Sequence, residues 1–449
     1  MPPPPSTTLS ASQVEKLAAD LADASVEEST ELTEQAPVHV LYGGAHLYRA
    51  DSPAKLAKLA CAAMDTWGKD DAVFAKLMGV DDAAAKGLAG ELASRVRDKL
   101  ASSAVEKTCI DFEDGYGPRS DEEEDADAVR TAGELARAPG APRPHIGIRI
   151  KALSGPTTRR GARTLDLFLT ALAGATSGEL PAGFTVTLPK VSRPAEVSAL
   201  ATLLGTLEKA LGLTGRVGIE VMVETPRALV DHDGRIALPA LVAAAGGRCV
   251  AAHLGAYDLT ASIGVTAGEQ RLDHPACDAA RLMMQLALAG TGVDVVDGAT
   301  TVLPIPRHRE TAGAALTEAE RAANVADVHG AWALHATAVR RALALGIYQG
   351  WDLHPAQLPA RHGAVIAFFL AERAAMATRL EAFVAKATQA TRSGRVFDDA
   401  ATGQGLLNFF VRGVACGALG DDDLRATGLS LDELRARSFA RIVAARSSK

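Results

Sequence analysis

Short apolar runs rich in β-branched residues recur along the chain, and longer segments of mixed apolar and polar residues separate them. A continuous run of this kind is typical of a strand that is buried on both faces, as in a parallel sheet. We therefore predict eight strands: Val38–Tyr42, Thr108–Glu113, His145–Ile150, Phe184–Lys190, Val217–Thr225, Cys249–Leu254, Val293–Val296 and Tyr348–Leu353.

The segments between these strands have the apolar spacing of amphipathic helices. Ser120 and Thr317 each precede acidic residues, a pattern that predicts a helix N-cap. The predicted helices are Pro53–Met64, an Ala-rich stretch that ends near Leu100, Ala128–Ala136, Leu165–Ala173, Pro194–Leu211, Leu238–Ala245, Pro275–Ala289 and Glu318–Ala344.

Eight alternating strand–helix units predict an α/β fold, a (β/α)8 TIM barrel with a helical C-terminal extension. A doubly wound sheet is the alternative, but the chain has neither G-x-G-x-x-G after its first strand nor a G-x-x-x-x-G-K-[ST] loop. We divide the chain into a flexible leader with an N-terminal helix (residues 1–34), a catalytic barrel (35–360) and the helical extension (361–449). The apolar side chains of the extension need cover, and a lid or subunit contact is its expected role.

Composition excludes several classes of protein. The net charge of −7 over 449 residues argues against a nucleic-acid surface. No uninterrupted apolar run is long enough for a membrane span, and the polar leader lacks the features of a signal peptide. The five cysteines have no CxxC spacing, as expected of reduced thiols. We therefore expect a cytoplasmic protein that contacts neither membrane nor nucleic acid.

The predicted strand Val217–Thr225 contains two carboxylates in an otherwise apolar run. Side chains alternate along a strand, so Glu220, Met222 and Glu224 share one face. Glu224 lies at the carboxyl end, where sites form in α/β folds, and is interpreted as a ligand residue. Glu220 lies deeper in the strand and is interpreted as half of a structural ion pair.

Other charged residues also fall at predicted strand ends. Glu224 and Asp258, on consecutive strands, suit an oxygen-seeking cation such as Mg²⁺, which takes one or two carboxylates and keeps waters or substrate oxygens. Arg149 would offer a fixed positive fork to a carboxylate or enolate oxygen. Structural roles remain open for three of these residues: His253 as a core histidine, His354 as a strand terminator and Lys190 as a partner of Glu220. The remaining strand-end candidates are Asp111, Asp114 and Asp297.

Six motifs occur in the order found in one known superfamily. They are Asp111-Phe112-Glu113-Asp114, Ile148-Arg149-Ile150, Leu188-Pro189-Lys190-Val191, Val223-Glu224-Thr225, Gly255-Ala256-Tyr257-Asp258-Leu259 and Leu353-His354-Pro355-Ala356-Gln357. Together they resemble the citrate lyase β-subunit-like and HpcH/HpaI aldolase superfamily, which has the phosphoenolpyruvate/pyruvate-binding barrel. The resemblance implies Glu224 and Asp258 as Mg²⁺ ligands and Arg149 as the arginine that stabilises the enolate. The segment Leu41–His46 departs from the first-strand motif of that superfamily.

This resemblance predicts a Mg²⁺-dependent carbon–carbon lyase or aldolase that acts on a 2-oxo acid or an acyl-coenzyme A thioester. Asp111 or Asp114, with His46, would serve proton transfer. The substrate-binding candidates are Lys190, Gly255, Ala256 and Tyr257. Phosphoryl transfer from phosphoenolpyruvate and a catalytically silent binding protein are the alternatives. A homo-oligomer is expected, again from the resemblance.

Overall fold

The structure is a computed structural model that describes residues 12, 15–16, 37–138, 145–310, 315–392, 400–435 and 437–447. The leader and nearly all of the helix predicted before Thr33 lie outside these residues. The first strand begins at His39, and strands and helices alternate after it.

Eight parallel strands close into a barrel in which each strand pairs with its sequence neighbours and β8 pairs with β1. The fold class predicted from the sequence is confirmed, and each predicted strand contains the observed one or overlaps it. The strands are β1 (His39–Gly44), β2 (Lys107–Asp111), β3 (His145–Arg149), β4 (Thr185–Leu188), β5 (Gly218–Val223), β6 (Cys249–Leu254), β7 (Asp294–Asp297) and β8 (Gln349–Asp352).

Helices surround the barrel, and local sequence signals begin several of them. Ser120 and Glu123 form a capping box at the start of α4, and Thr317 and Glu320 form another at α11, so both predicted N-caps are confirmed. The helices are α1 (Ser52–Trp67), α2 (Asp71–Leu77), α3 (Asp82–Ser103), α4 (Asp121–Arg137), α5 (Thr158–Thr176), α6 (Pro194–Leu211), α7 (Pro226–Leu229), α8 (Leu238–Ala244), α9 (Ala256–Ser262), α10 (Pro275–Leu288), α11 (Glu318–Ala344), α12 (Leu358–Arg392), α13 (Ala400–Ala415), α14 (Asp421–Arg425), α15 (Leu431–Arg435) and α16 (Phe439–Ser447).

Strand β5 shows how alternation divides the core. Ile219, Val221 and Val223 point outward and pack in the apolar layer beneath the helices. Met222 points inward and belongs to a small cluster inside the barrel with Tyr42 and Trp351, among others. The face shared by Glu220, Met222 and Glu224 is therefore the barrel interior, as the period of two predicts.

The C-terminal helices are packed against the rest of the same chain. Helix α12 runs through residue 360 without a break, and its first turns are buried. Leu407 and Phe410 of α13 belong to the same apolar cluster as Leu41 of β1 and Trp332 of α11. These apolar groups are covered within one chain, and the lid or subunit role stays a prediction. Phe397, another apolar residue of the extension, lies outside the described residues.

In the part of the chain that the structure describes, no helix is both long enough and apolar enough to cross a membrane.

Candidate active site at the carboxyl ends of the strands

Glu224 follows β5 directly, and its carboxylate is buried, with 2% of the residue exposed. Its Oε1 accepts a hydrogen bond from the backbone N–H of Lys190 at 2.5 Å. Burial and the nearby charge of Asp258, in the first turn of α9, raise the pKa of Glu224 to about 7, although Arg149 opposes the rise. A buried carboxylate with a second negative charge beside it is an arrangement that a bound cation relieves.

Gly255 allows this close approach between β5 and β6. A Cβ built at residue 255 would lie 2.4 Å from both Cβ and Oε2 of Glu224, far inside contact distance. The φ of Gly255 is −94°, so space rather than backbone conformation demands a glycine here. In the predicted substrate-binding turn, Gly255 therefore leaves room for Glu224, and Ala256 is buried.

Arg149, at the end of β3, is the central cation of the site. Its Nε donates to Oδ1 of Asp111 at 2.7 Å and a terminal nitrogen donates to Oδ2 at 2.5 Å. Its other terminal nitrogen lies 3.3 Å from Glu113 and 3.8 Å from the sulfur of Met222. Burial opposes the charge, but Asp111 outweighs it and keeps the pKa of Arg149 well above its usual value. The guanidinium is thus permanently charged and held along one edge.

Asp111 has no oxygen left for proton transfer. Beyond the two bonds from Arg149, its carboxylate accepts the backbone N–H groups of Glu113 at 2.9 Å and Gly115 at 2.7 Å. A carboxylate with every acceptor direction filled is a poor general base. In this geometry Asp111 positions Arg149 instead of carrying out the predicted proton transfer.

Glu113 belongs to the site, although the sequence reasoning assigned it no role. It is ion-paired to Nζ of Lys190 and faces Arg149. Burial raises its pKa despite these two cations. Asp114 is more exposed and lies 3.3 Å from Nζ of Lys190; burial opposes its ionisation, but Glu113, Arg149 and Lys190 together lower its pKa. Asp111 and Glu113 are two residues apart at the end of a predicted strand, so they share one face. That spacing predicts that Glu113 lies beside Asp111.

Lys190 contacts both Glu224, the candidate metal ligand, and the acidic residues Glu113 and Asp114 of the loop after β2. Its pairing with Glu113 and Asp114 replaces the pairing with Glu220 that the sequence left open, so that alternative is wrong. Burial opposes its charge, but Glu113 holds its pKa above the usual value. Its φ of 53° is left-handed, which is uncommon for a residue with a side chain.

Glu220 is a structural ion-pair residue, as its depth in the strand suggested. It is paired with Lys107 across the interior of the barrel and accepts a hydrogen bond from Thr187 at 2.7 Å. Burial opposes its ionisation, but Lys107 holds its pKa well below the usual range. His253 is a buried core histidine, also as interpreted from the sequence.

Three further candidates at the strand ends have local partners. His354 accepts the backbone N–H of Ala356 at 3.1 Å and so caps the short helix that follows β8. Asp297 is ion-paired with Arg281 of α10 at 2.7 Å. The hydroxyl of Tyr257 donates at 3.2 Å to the loop after β7, which fixes α9 beside that loop.

His46 lies on the short helix that follows β1, beside the mouth of the site. A Cβ built at Gly44 would lie 2.6 Å from the imidazole ring of His46 and 2.3 Å from the carbonyl oxygen of Gly115. The His46 ring therefore lies close to the loop whose Gly115 N–H donates to Asp111. Burial and the charge of Arg119 lower the pKa of His46.

Among the described residues, no three His, Cys, Asp or Glu side chains form a group that could hold a metal by themselves. Mg²⁺ does not require such a group, because one or two carboxylates with waters and substrate oxygens complete its shell. Glu224 and Asp258 fit that demand: both are carboxylates, and the pKa of Glu224 is raised first by its burial and then by the charge of Asp258.

The closed barrel and the charged residues at the carboxyl ends of its strands define a (β/α)8 protein with its candidate site on the face where such barrels carry catalysis. The chain belongs to the family described as Domain of unknown function (DUF6986), which matches residues 22–442. A search of curated proteins found no match.

Several solved structures are similar to this chain. A citrate lyase from Burkholderia xenovorans LB400 is 19% identical with a TM-score of 0.48, covering 76% of this chain and 92% of its own. The malate synthase of Haloferax volcanii in a magnesium/glyoxylate complex is 15% identical with a TM-score of 0.42, covering 88% and 98%. The same enzyme in a pyruvate/acetyl-CoA ternary complex is 19% identical with a TM-score of 0.40, covering 58% and 60%.

Proposed function

We propose that this protein is a Mg²⁺-dependent carbon–carbon lyase or aldolase that acts through the enolate of a 2-oxo acid or an acyl-coenzyme A thioester. The observation that carries the proposal is the pair of Glu224 and Asp258, two electrostatically coupled carboxylates beside the buried guanidinium of Arg149. A cation bound to the pair and a fixed arginine would place positive charge around one substrate oxygen. Enolate chemistry needs positive charge at that oxygen.

Glu224 and Asp258 would hold the metal, with the N–H of Lys190 orienting Glu224. When bound, Mg²⁺ would act as a Lewis acid toward the carboxylate and carbonyl oxygens of the substrate. Because Asp111 occupies one edge of Arg149, the terminal nitrogen on the other edge is the one that can donate to the developing oxyanion.

Cleavage requires removal of a hydroxyl proton from the substrate. The carbon–carbon bond breaks, the hydroxyl-bearing carbon becomes a carbonyl, and the bond's electron pair becomes the enolate. Asp114 and His46 are the groups proposed to take and return the proton, since Asp111 is saturated. Return of that proton to the enolate carbon completes the cleavage, so no proton is gained or lost overall, and addition runs the same steps in reverse.

Calorimetric titration of Mg²⁺ in the presence of oxalate, an enolate mimic, tests the site directly. Glu224→Gln and Asp258→Asn remove charge with little change in volume, so each should abolish or greatly weaken binding while the protein stays folded. Glu269→Gln is a matched control, because its carboxylate is exposed and lies beyond α9. Unchanged binding in both site variants would refute the assignment.

A further inference from the structure

The interior of the barrel below Arg149 contains an aromatic stack. The rings of Tyr42 and Trp351 are 4.4 Å apart between centroids and nearly parallel, at 22°. The guanidinium carbon of Arg149 lies 5.1 Å from the Tyr42 centroid and 5.8 Å from that of Trp351. Both distances are within the range of a cation–π contact.

The stack is itself anchored by a histidine. Nε1 of Trp351 donates to Nδ1 of His253 at 2.9 Å. Indole nitrogen is only a donor, so Nδ1 carries no proton and the proton of neutral His253 is on Nε2. Nε2 faces Glu220 at 3.5 Å. The hydroxyl of Tyr42 lies 3.4 Å from the same Nδ1, so both rings of the stack are directed to one atom.

Below His253, Glu220 is ion-paired with Lys107 and accepts a hydrogen bond from the hydroxyl of Thr187. His253, Glu220 and Lys107 are all buried. Removing either partner of a buried ion pair strongly destabilises the fold, because an uncompensated charge would remain. His253 therefore lies between this buried ion pair and the indole of Trp351, to which it is hydrogen-bonded.

We propose that Trp351 is a positioning residue for Arg149. Asp111 holds Nε and one terminal nitrogen of the guanidinium, which fixes one edge but leaves rotation about that edge. The stack of Tyr42 and Trp351 supplies a surface that supports the plane of the guanidinium, beside the contact of the other terminal nitrogen with Glu113. That terminal nitrogen is then directed to the oxyanion, a role that rests on the proposed function.

Two substitutions separate the parts of this device. Trp351→Phe keeps an aromatic ring over Tyr42 but deletes the donor to His253, so the ring should be less well fixed. Trp351→Leu deletes both. We expect kcat to fall about tenfold in the first and roughly a hundredfold or more in the second, in line with mispositioned catalytic groups. The affinity for Mg²⁺ with oxalate should stay within about threefold, because neither change touches Glu224 or Asp258.

Trp332→Phe is the matched control. Its indole also donates a buried hydrogen bond, to the carbonyl oxygen of Ala356 at 2.7 Å, but in the helical layer outside the barrel. Thermal unfolding would show that all variants are folded. A kcat as high as that of the parent in folded Trp351→Leu would overturn the proposal. So would losses of kcat and Mg²⁺ affinity that run in parallel, since the site would then have collapsed as a whole.

A spectroscopic readout separates this proposal from the proposed function. The chain has three tryptophans, so replacing Trp67 and Trp332 by Phe leaves Trp351 as the only indole. Adding Arg149→Met removes the cation above the stack and should shift the emission of Trp351, whether or not the protein is a lyase. An unchanged emission would overturn the positioning contact. A shift in a protein that does not bind Mg²⁺ with oxalate would instead count against the proposed function alone.

Discussion

The backbone N–H of Lys190 donates to Oε1 of Glu224 at 2.5 Å, while Nζ of the same residue is ion-paired with Glu113. The left-handed φ of 53° at Lys190 accompanies both contacts. Strain of this kind is tolerated where surrounding contacts determine the backbone, which happens often at functional sites. Lys190 therefore links the candidate metal ligand to the acidic loop after β2.

Substitutions at Lys190 separate the backbone from the side chain. Lys190→Ala and Lys190→Gly both delete the ammonium group and keep the N–H that orients Glu224, so both should bind Mg²⁺ with oxalate. Left-handed strain of roughly 1–2 kcal/mol in alanine exceeds the flexibility cost of glycine, roughly 0.5–1 kcal/mol, so the glycine variant should be the more stable in urea. A loss of metal binding in both variants as large as in Glu224→Gln would assign the effect to the ammonium group.

The space at Gly255 gives a prediction about metal affinity. Gly255→Ala puts a methyl group where Glu224 lies, so the carboxylate must move. Displacing a group that orients a metal ligand typically costs about 10- to 100-fold in affinity, and calorimetry should show such a loss. Gly268→Ala is the control, because a Cβ there meets nothing within 4 Å. Equal affinity in both variants would show that Glu224 is not held by this contact.

Arg149→Lys tests whether the guanidinium is catalytic or structural. Lysine keeps the charge but loses the two-edged geometry that binds Asp111 and presents a donor to substrate. We expect kcat to fall by about 10² or more, as for other donors directed at developing charge. Circular dichroism would verify the fold. Turnover equal to that of the parent would make Arg149 a structural partner of Asp111.

His362 predicts how stability responds to acid. Burial lowers its pKa from 6.5 to about 4, although Glu106 opposes the shift; His39 and Lys99 add to it. Between these values the unfolded chain binds more protons than the folded one, so the free energy of unfolding decreases as the pH falls from about 6.5 to about 4. The shift is worth about 3 kcal/mol, at about 1.4 kcal/mol per pKa unit.

Chemical denaturation at several pH values measures this effect. His362→Gln keeps a donor for the carbonyl oxygen of Ala104, which His362 contacts at 3.0 Å, and should flatten the pH dependence. His232→Gln, at an exposed site, should leave it unchanged. A pH dependence in His362→Gln as steep as in the parent would exclude His362 as the source.

The barrel and the strand-end residues could be predicted because each depends on local sequence. Apolar β-branched runs mark buried strands, and alternation within β5 correctly divided Glu220 from Val221. Its place at the end of the predicted strand put Glu224 at the carboxyl end, directly after β5. These features need only one strand and its period of two.

The contacts across the barrel could not be predicted in the same way. Lys107 of β2 meets Glu220 of β5, although the two strands are not neighbours, so the contact depends on the closure of the barrel. The saturation of Asp111 depends on a loop whose N–H groups turn back on it. Asp297 was a candidate site residue because of its strand-end position, but its carboxylate is ion-paired with Arg281 of α10. That pairing could not be predicted from the strand alone.

The central claim is that Glu224, Asp258 and Arg149 form a Mg²⁺ enolate site. Aldol addition and cleavage share the enolate, so the methyl group of pyruvate should exchange with solvent even without an acceptor. In D₂O, proton NMR should show slow, Mg²⁺-dependent deuterium incorporation into pyruvate or, in a parallel sample, into the acetyl group of acetyl-coenzyme A. Exchange should stop with EDTA and in Glu224→Gln, and the sample that exchanges identifies the donor class. Exchange in neither sample, with Mg²⁺ binding demonstrated, would contradict the claim.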